Sequence, residues 1–526
     1  MNLLLASVAL PLCAALVVAV VPRVFDRLPR AIALLGSAAG ALAVAGATFR
    51  FVPSDASVQL RFTQPFDVAL GVDFSLAVDG ISLAFLIVGT GVCLLTLLVR
   101  TQLGPRAGDG CFALLLVQSA LAGVYTSQNA LLFWCFWALF VFGTFLLVGL
   151  QGGARRLLAS SKLALSGFTS LVMLLGVFLY LGAQMQQLTG RVSFNFDVLT
   201  RVLLPLSTQY VVMIVALLAL ALALPLVPLA GWWSDTHAQS PNVASVVLLV
   251  GPALYALIRI LLPCFPLAAF HLMPLLGGVA AVTAIIAAIA APFEDDLRRR
   301  LAWVACTQTA VAVVGVTSLS TQGIVGAILL ICTSAVALAG VFLCLNLSAI
   351  DAVATFTSDE QRASFLPKAF AYTAALLPGL GGFAAAFACL SGLASAERQA
   401  TQLPGRPFEL EPLWIILACV GSAVFVGASL LSALRSHAGV FERLGVRSVP
   451  LWVTFTLLLA LGWAPATVMN SLSPTVDAYL HNLQSKITHA ASNPSAPTHF
   501  YPNARSVMLS AKPKVTPLES TQGSSP

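Results

Sequence analysis

Asp235 and His237 stand two residues apart, directly behind a proline-broken apolar run, LALALPLVPLAGWWSDTH. A carboxylate and an imidazole so placed can exchange a proton near neutral pH, because an unperturbed imidazole titrates there. The same pair can serve the backbone instead, since Asp closes turns and can hold helix ends that a proline has freed. Other chemistry lacks its pattern. The ten cysteines include no C-x-x-C pair, and nearly all lie inside apolar runs, where they read as small hydrophobes. The six histidines show no metal-ligand spacing, and there is no P-loop, dinucleotide fingerprint or nucleophile elbow. The GLGG stretch at 379–382 is loop material in a broken helix.

The elements that hold this pair must be membrane helices. Fifty-nine per cent of the residues are apolar and only 9% are charged, with a mean hydropathy of +0.94. Soluble domains carry roughly a quarter charged residues, so a water-facing surface cannot be made from this chain. An open chain in lipid must satisfy its backbone internally, which leaves the α-helix. Runs of about twenty apolar residues occur near 3–22, 31–49, 80–99, 111–128, 130–150, 163–184, 203–229, 243–262, 266–292, 301–318, 323–346, 366–393, 413–434 and 450–470. We therefore expect an all-α integral membrane protein with about fourteen spans over 1–484, then an amphipathic stretch and a polar tail at 485–526. The first run reads as a retained span, and no presequence is expected before it.

The basic residues test the count. With fourteen spans, one side collects Arg23, Arg27, Arg30, Arg100, Arg106, Arg155, Arg156, Lys162, Arg298, Arg299, Arg300, Arg362, Lys368, Arg435, Arg443 and Arg447. The other side's loops hold Arg50, Arg61, Arg191, Arg201, Arg398 and Arg406. That asymmetry is the positive-inside signature, and it places both termini on the outer side. The +7 charge thus reads as anchors at the membrane surface and not as a nucleic-acid patch. Two runs contain prolines at depth: Pro225 and Pro228 in the seventh, and Pro378 with Gly379 in the twelfth. Each should break its helix. Breaks five spans apart fit two inverted five-helix repeats, near 111–262 and 266–434.

Several stretches resemble one family. FSLAVDGISLAFLIV (74–88) looks like the start of the third helix of subunit 4 of respiratory NADH:ubiquinone oxidoreductase, complex I. LLFWCFWALF and GLQGGARRLLASSKLALSGFTS resemble its fifth helix and the basic loop that follows. PLVPLAGWWSDTHAQSP is similar to the family's P-L-x-P-x-x-x-W-x-x-D-x-H-x-x-x-P signature, through Pro225, Leu226, Pro228, Trp232, Asp235, His237 and Pro241. DDLRRRLAWVACTQTAVAVVGV, QGIVGAILLICTSAVALAGVFLCL and LLPGLGGFAAAF resemble its tenth, eleventh and twelfth helices, in order. The resemblance covers about residues 74–390 and is to the antiporter-like subunits, shared with multisubunit cation/proton antiporters.

The resemblance implies a membrane-arm subunit of a complex that couples NADH oxidation and ubiquinone reduction to proton translocation. Its partners would be other membrane-arm subunits and the bilayer. No redox site is expected in this chain: NADH, FMN, iron–sulfur clusters and ubiquinone would belong to partner subunits. The family's proton path uses buried ionisable residues, and here the matching positions are Ala138, Ala223 and Ala386, with Gln308 and Ser334 in place of histidines. The expected lysine of the eighth helix falls near Gly251 or Leu254, in a span without lysine. Ser334 and Gln308, with Thr307, Thr309 and Thr333, can order water but do not titrate near neutral pH. The residual proton-path candidates are therefore Asp235, His237, Ser334 and Gln308.

Three functions follow as expectations: a structural spacer with a silent channel, a subunit that still conducts through water, or a free-standing antiporter. Arg259 is expected to snorkel to the interface, Lys162 and Lys368 to act as anchors, and Glu294–Asp296 to pair with Arg298–Arg300 in a solvated turn. A divergent mitochondrial lineage is expected, with both termini toward the intermembrane space; a bacterial plasma membrane is the alternative.

Overall fold

The computed structural model describes residues 2–22, 27–67, 71–99, 107–240, 249–354, 365–400, 412–436, 449–492 and 499–500. Of the residues used above, Arg23, Arg100, Arg106, Pro241, Arg362, Arg406, Arg443 and Arg447 lie outside these, as does most of the polar tail.

Apolar runs without water around them have only one way to pair their backbone, so the chain is helix after helix. Helices α1 (Leu3–Val20) and α2 (Leu28–Arg50) lead into a hairpin of β1 (Gln59–Asp67) and β2 (Val72–Val78), then α3 (Gly80–Val99), α4 (Ala107–Thr126), α5 (Ala130–Gln151) and α6 (Arg156–Thr189). A short α7 (Phe196–Leu199) and β3 (Val202–Leu203) precede α8 (Leu206–Ala223), a 3₁₀ turn (Leu229–Trp232) and α9 (Trp233–Gln239). The eighth span is α10 (Val250–Cys264), which contains a π turn over Leu257–Leu261. There follow α11 (Pro266–Ala290), α12 (Leu297–Thr317), α13 (Thr321–Ala354), α14 (Phe365–Ala374), α15 (Gly381–Ala400), α16 (Pro412–Ser436), α17 (Val449–Trp463), α18 (Pro465–Ser492) and β4 (His499–Phe500).

Eleven described helices are long and apolar enough to cross a bilayer. The other three expected spans are the eighth, described only from 249, the twelfth, which is broken into α14 and α15, and the fourteenth. The run at 450–470 does not continue straight: it turns by 74° between Trp463 and Pro465. From there α18 continues to Ser492, past the point at which the composition turns polar. Local signals stop and start the helices where physics asks. Asn129 Oδ1 accepts the Leu131 N–H (3.0 Å) at the start of α5, Asp296 Oδ1 accepts that of Arg298 (2.9 Å) at the start of α12, and Gly190 ends α6 in the left-handed conformation at φ +72°.

The core lies around α4, α12 and α13. Their windows are 83–89% buried, whereas α1, α2 and α16 are 39% buried and present Leu35, Leu42 and Phe425 outward, as lipid-facing helices do. Loops assigned to the same side meet. On the side with few Arg and Lys, Arg61 pairs with Asp197, and β3 pairs with β4 through Val202–Phe500 and Leu203–His499. There too Lys486 Nζ donates to the carbonyls of Thr200 (2.6 Å) and Pro263 (3.4 Å). On the basic side the Gly153 loop hydrogen-bonds Gln239, and Lys162, Asp235 and Arg299 converge. The alternation read from Arg and Lys is therefore reproduced by contacts.

Candidate functional site

Both predicted breaks are present, and each is closed by side chains. Past Ala223, α8 loses its regular ladder. Ser170 Oγ donates to the Ala219 carbonyl (2.6 Å), and Ser166 Oγ (2.6 Å) and Trp232 Nε1 (3.1 Å) donate to that of Leu222. Cys306 Sγ donates to the Pro225 carbonyl (3.0 Å), and the Val227 N–H donates to Thr283 Oγ1 (3.1 Å). In the twelfth span α14 ends at Ala374, whose carbonyl accepts from Gln308 Nε2 (2.5 Å). Gly379 turns the chain at φ +86°, open to glycine, and α15 restarts at Gly381. An unpaired backbone group in lipid costs several kcal/mol. Here protein atoms supply the partners, so Gln308 serves the backbone with its amide nitrogen. Gln308 Oε1 and Ser334 Oγ are buried and have no partner among the described residues.

Ala223 and Ala386 are buried, Ala138 is half-buried and packed on the core, and Leu254 is fully buried. Around Gly251 and next to Ala138 the interior is aromatic. Tyr125 stacks on Phe85 (5.4 Å) and meets Tyr255 edge-on (5.5 Å). Tyr255 touches Phe133 (6.3 Å), which packs on Trp137, Phe178 and Phe196. Trp137 is the neighbour of Ala138 in α5. Gly251, one of the two positions expected for the lysine, leaves room for the Tyr125 hydroxyl: a Cβ there would lie 2.4 Å from that oxygen. A side chain at 251 would force the tyrosine to shift.

Asp235 and His237 do sit behind the first break, on α9, but each has its own partners and they do not bond one another. Asp235 Oδ2 is 2.5 Å from Lys162 Nζ and Oδ1 is 3.1 Å from Arg299 Nη2, so two cations hold its charge in place. His237 is wholly buried on the opposite face. Its Nδ1 meets the Trp233 carbonyl (2.9 Å), and its ring lies 4.3 Å from that of Trp233 and 6.0 Å from that of Phe342. Nε2 has no partner among the described residues. Burial pushes the imidazole down to about 4, so it is neutral at pH 7.

Three expectations are corrected. Arg259 does not snorkel: its Nε lies 3.1 Å from Asp79 Oδ2, with the carboxylate side chain 3% exposed, because a counter-ion is nearer than water. Lys162 is no free anchor but an Asp235 partner. Two of the arginines after Asp296 leave the turn, Arg298 for Asn346 and Arg299 for Asp235, while Arg300 stays on the Glu294 carbonyl and also reaches that of Ser429. The helix rotates successive residues by about 100°, so three neighbours face three partners. Asp79 is the residue the sequence reading missed. Its signal was a reciprocal cap, in which Asp79 Oδ1 accepts the Ser82 N–H (2.9 Å) and Ser82 Oγ accepts that of Asp79 (2.8 Å); its distant partner left none.

Residues 127–401 match the family described as NADH:quinone oxidoreductase/Mrp antiporter, TM. NADH-quinone oxidoreductase subunit M of Rhodobacter capsulatus is 25% identical, covering 92% of this chain and 98% of its own. The chloroplastic NAD(P)H-quinone oxidoreductase chain 4 of Mesostigma viride is 26% identical over 74% of this chain and 78% of its own. A chain in the respiratory complex I of Thermus thermophilus with bound NADH superposes with a TM-score of 0.76 at 24% identity, over 91% of this chain and 99% of its own. More than half of the sequence carries the family match, and the fold agrees over 91% of the chain. The chain belongs to the NADH:quinone oxidoreductase/Mrp antiporter family of membrane proteins.

Proposed function

We propose that this chain is the antiporter-like membrane-arm subunit of a proton-translocating NADH:quinone oxidoreductase, and that its own channel is silent. It spaces and joins its neighbours, while NADH, FMN, iron–sulfur clusters and ubiquinone are handled by partner subunits. The chain divides into repeats near 111–262 and 266–434 around the two breaks. The observation that supports silence is the Tyr125 hydroxyl filling the space at Gly251, beside an aromatic interior. A buried charge costs several kcal/mol and is kept where protons must pass; Ala138, Ala223 and Ala386 keep none. The compartment we assign is the mitochondrial inner membrane, which membrane fractionation checks.

A second reading keeps conduction through internal water. It is favoured by Ser334 Oγ, Gln308 Oε1 and His237 Nε2, buried polar atoms of a kind that ordered water commonly satisfies. The test is the proton-to-electron ratio of the assembled complex after Asp235→Asn with His237→Gln. An unchanged ratio is expected. Because the ratio is normalised to electron flow, lower assembly does not mimic a lost channel, and a clear fall would exclude the silent reading. A free-standing antiporter is the third reading, and its purification as a lone chain would exclude the subunit assignment.

A further inference from the structure

We propose that the basic-side loop between α5 and α6 holds the headgroup of an anionic phospholipid. A cavity of about 450 Å³ lies there, lined by Gly153, Ala154, Arg155, Arg156, Leu157 and Leu158. The proposal is independent of whether the channel conducts.

The cavity is cationic, rigid and amphiphilic. Neither guanidinium, Arg155 nor Arg156, has an acidic partner within 4.0 Å among the described residues, whereas the neighbouring Lys162 and Arg299 are both engaged by Asp235. Two consecutive arginines lining one cavity offer planar guanidinium forks that match phosphate oxygens. The loop is held to a fixed shape by Gln239 at the end of α9: the Gly153 N–H donates to its carbonyl (2.8 Å) and the Arg155 N–H to its Oε1 (2.9 Å). Below the arginines, α6 turns an apolar stripe outward. Leu157 is 71% exposed, Leu165 73% and Val172 68%, at the spacing of one helical face. A phosphate at the top and acyl chains along the stripe satisfy both halves of this surface, which a free anion does not. The site also lies on the side where Arg and Lys collect, where anionic headgroups are attracted at about 1 kcal/mol per basic residue.

The experiment uses the intact complex in nanodiscs carrying a trace of photoactivatable phosphatidylglycerol, or of the same chains on phosphatidylcholine. Labelling of residues 153–172, read by peptide mass spectrometry, is expected with phosphatidylglycerol and about tenfold less with phosphatidylcholine. Arg155→Gln with Arg156→Gln should weaken the labelling roughly thirtyfold, the factor for losing two interfacial charges. Arg155→Lys with Arg156→Lys should restore part of it. Equal labelling by both lipids, or none in the native complex, overturns the proposal. So does competition by millimolar inorganic phosphate, which would make the site one for a free anion. Label found instead on a neighbouring subunit lying over the loop would show a protein contact there and also overturn it.

Discussion

Gly251→Ala should be costly in this protein although alanine favours helices. The Cβ it adds lies 2.4 Å from the Tyr125 hydroxyl oxygen and 3.6 Å from the ring carbon that bears it. Ordinary contact therefore needs the oxygen to retreat by about an ångström. The ring cannot easily do so, being stacked on Phe85 at 5.4 Å and wedged against Tyr255 at 5.5 Å, all within the buried core. Overpacking of this kind costs about 1–3 kcal/mol, or roughly a factor of 5 to 150 in the unfolded-to-folded ratio. Tyr125→Phe removes the clashing oxygen and leaves the carbon at an ordinary distance. Gly251→Ala in that background should cost less than about 1 kcal/mol, giving a coupling of about 1–2 kcal/mol in the double-mutant cycle. The assay is the fraction of chain kept in the assembled complex on native gels after stepped heating, for both single variants and the double. Additive effects would refute the reasoning, because they would mean that residue 251 and the tyrosine do not share one space.

Asp79→Asn leaves the half-buried Arg259 without its counter-ion and should cost about 2–3 kcal/mol, below the range for a fully buried charge because the guanidinium keeps some solvent; adding Arg259→Gln, which keeps the Asn cap but removes both charges, should recover most of the loss in the same heating assay. For His237 the folded value of about 4 lies below that of the unfolded chain, about 6.5. At neutral pH neither state binds the proton; as pH falls from 6.5 toward 4 only the unfolded state does, so up to about 3 kcal/mol of stability is lost across that window. His237→Gln should abolish this share of the acid sensitivity, and identical pH profiles for parent and variant would place the imidazole in water.

Much of this molecule was legible residue by residue. The spans followed from length and hydropathy, since backbone in lipid has few alternatives. The grouping of loops into two sides followed from Arg and Lys, and the two breaks followed from Pro225, Pro228 and Pro378, which cannot continue a helix. That residues 138, 223 and 386 are uncharged was likewise visible, because an alanine carries no charge in any fold. These properties belong to single residues or short windows.

What tertiary structure alone decided is pairing across distance. That Asp79 meets Arg259, that Lys162 and Arg299 both claim Asp235, and that His237 turns into the core while Asp235 turns out depend on helix rotation and on neighbours far along the chain. The partners of the broken backbone, Ser166, Ser170, Cys306, Thr283 and Gln308, come from α6, α11 and α12. Local sequence states which groups need a partner. Which side chain arrives is set by packing, because a hydrogen bond or ion pair forms only where the assembled helices bring two atoms within about 3 Å.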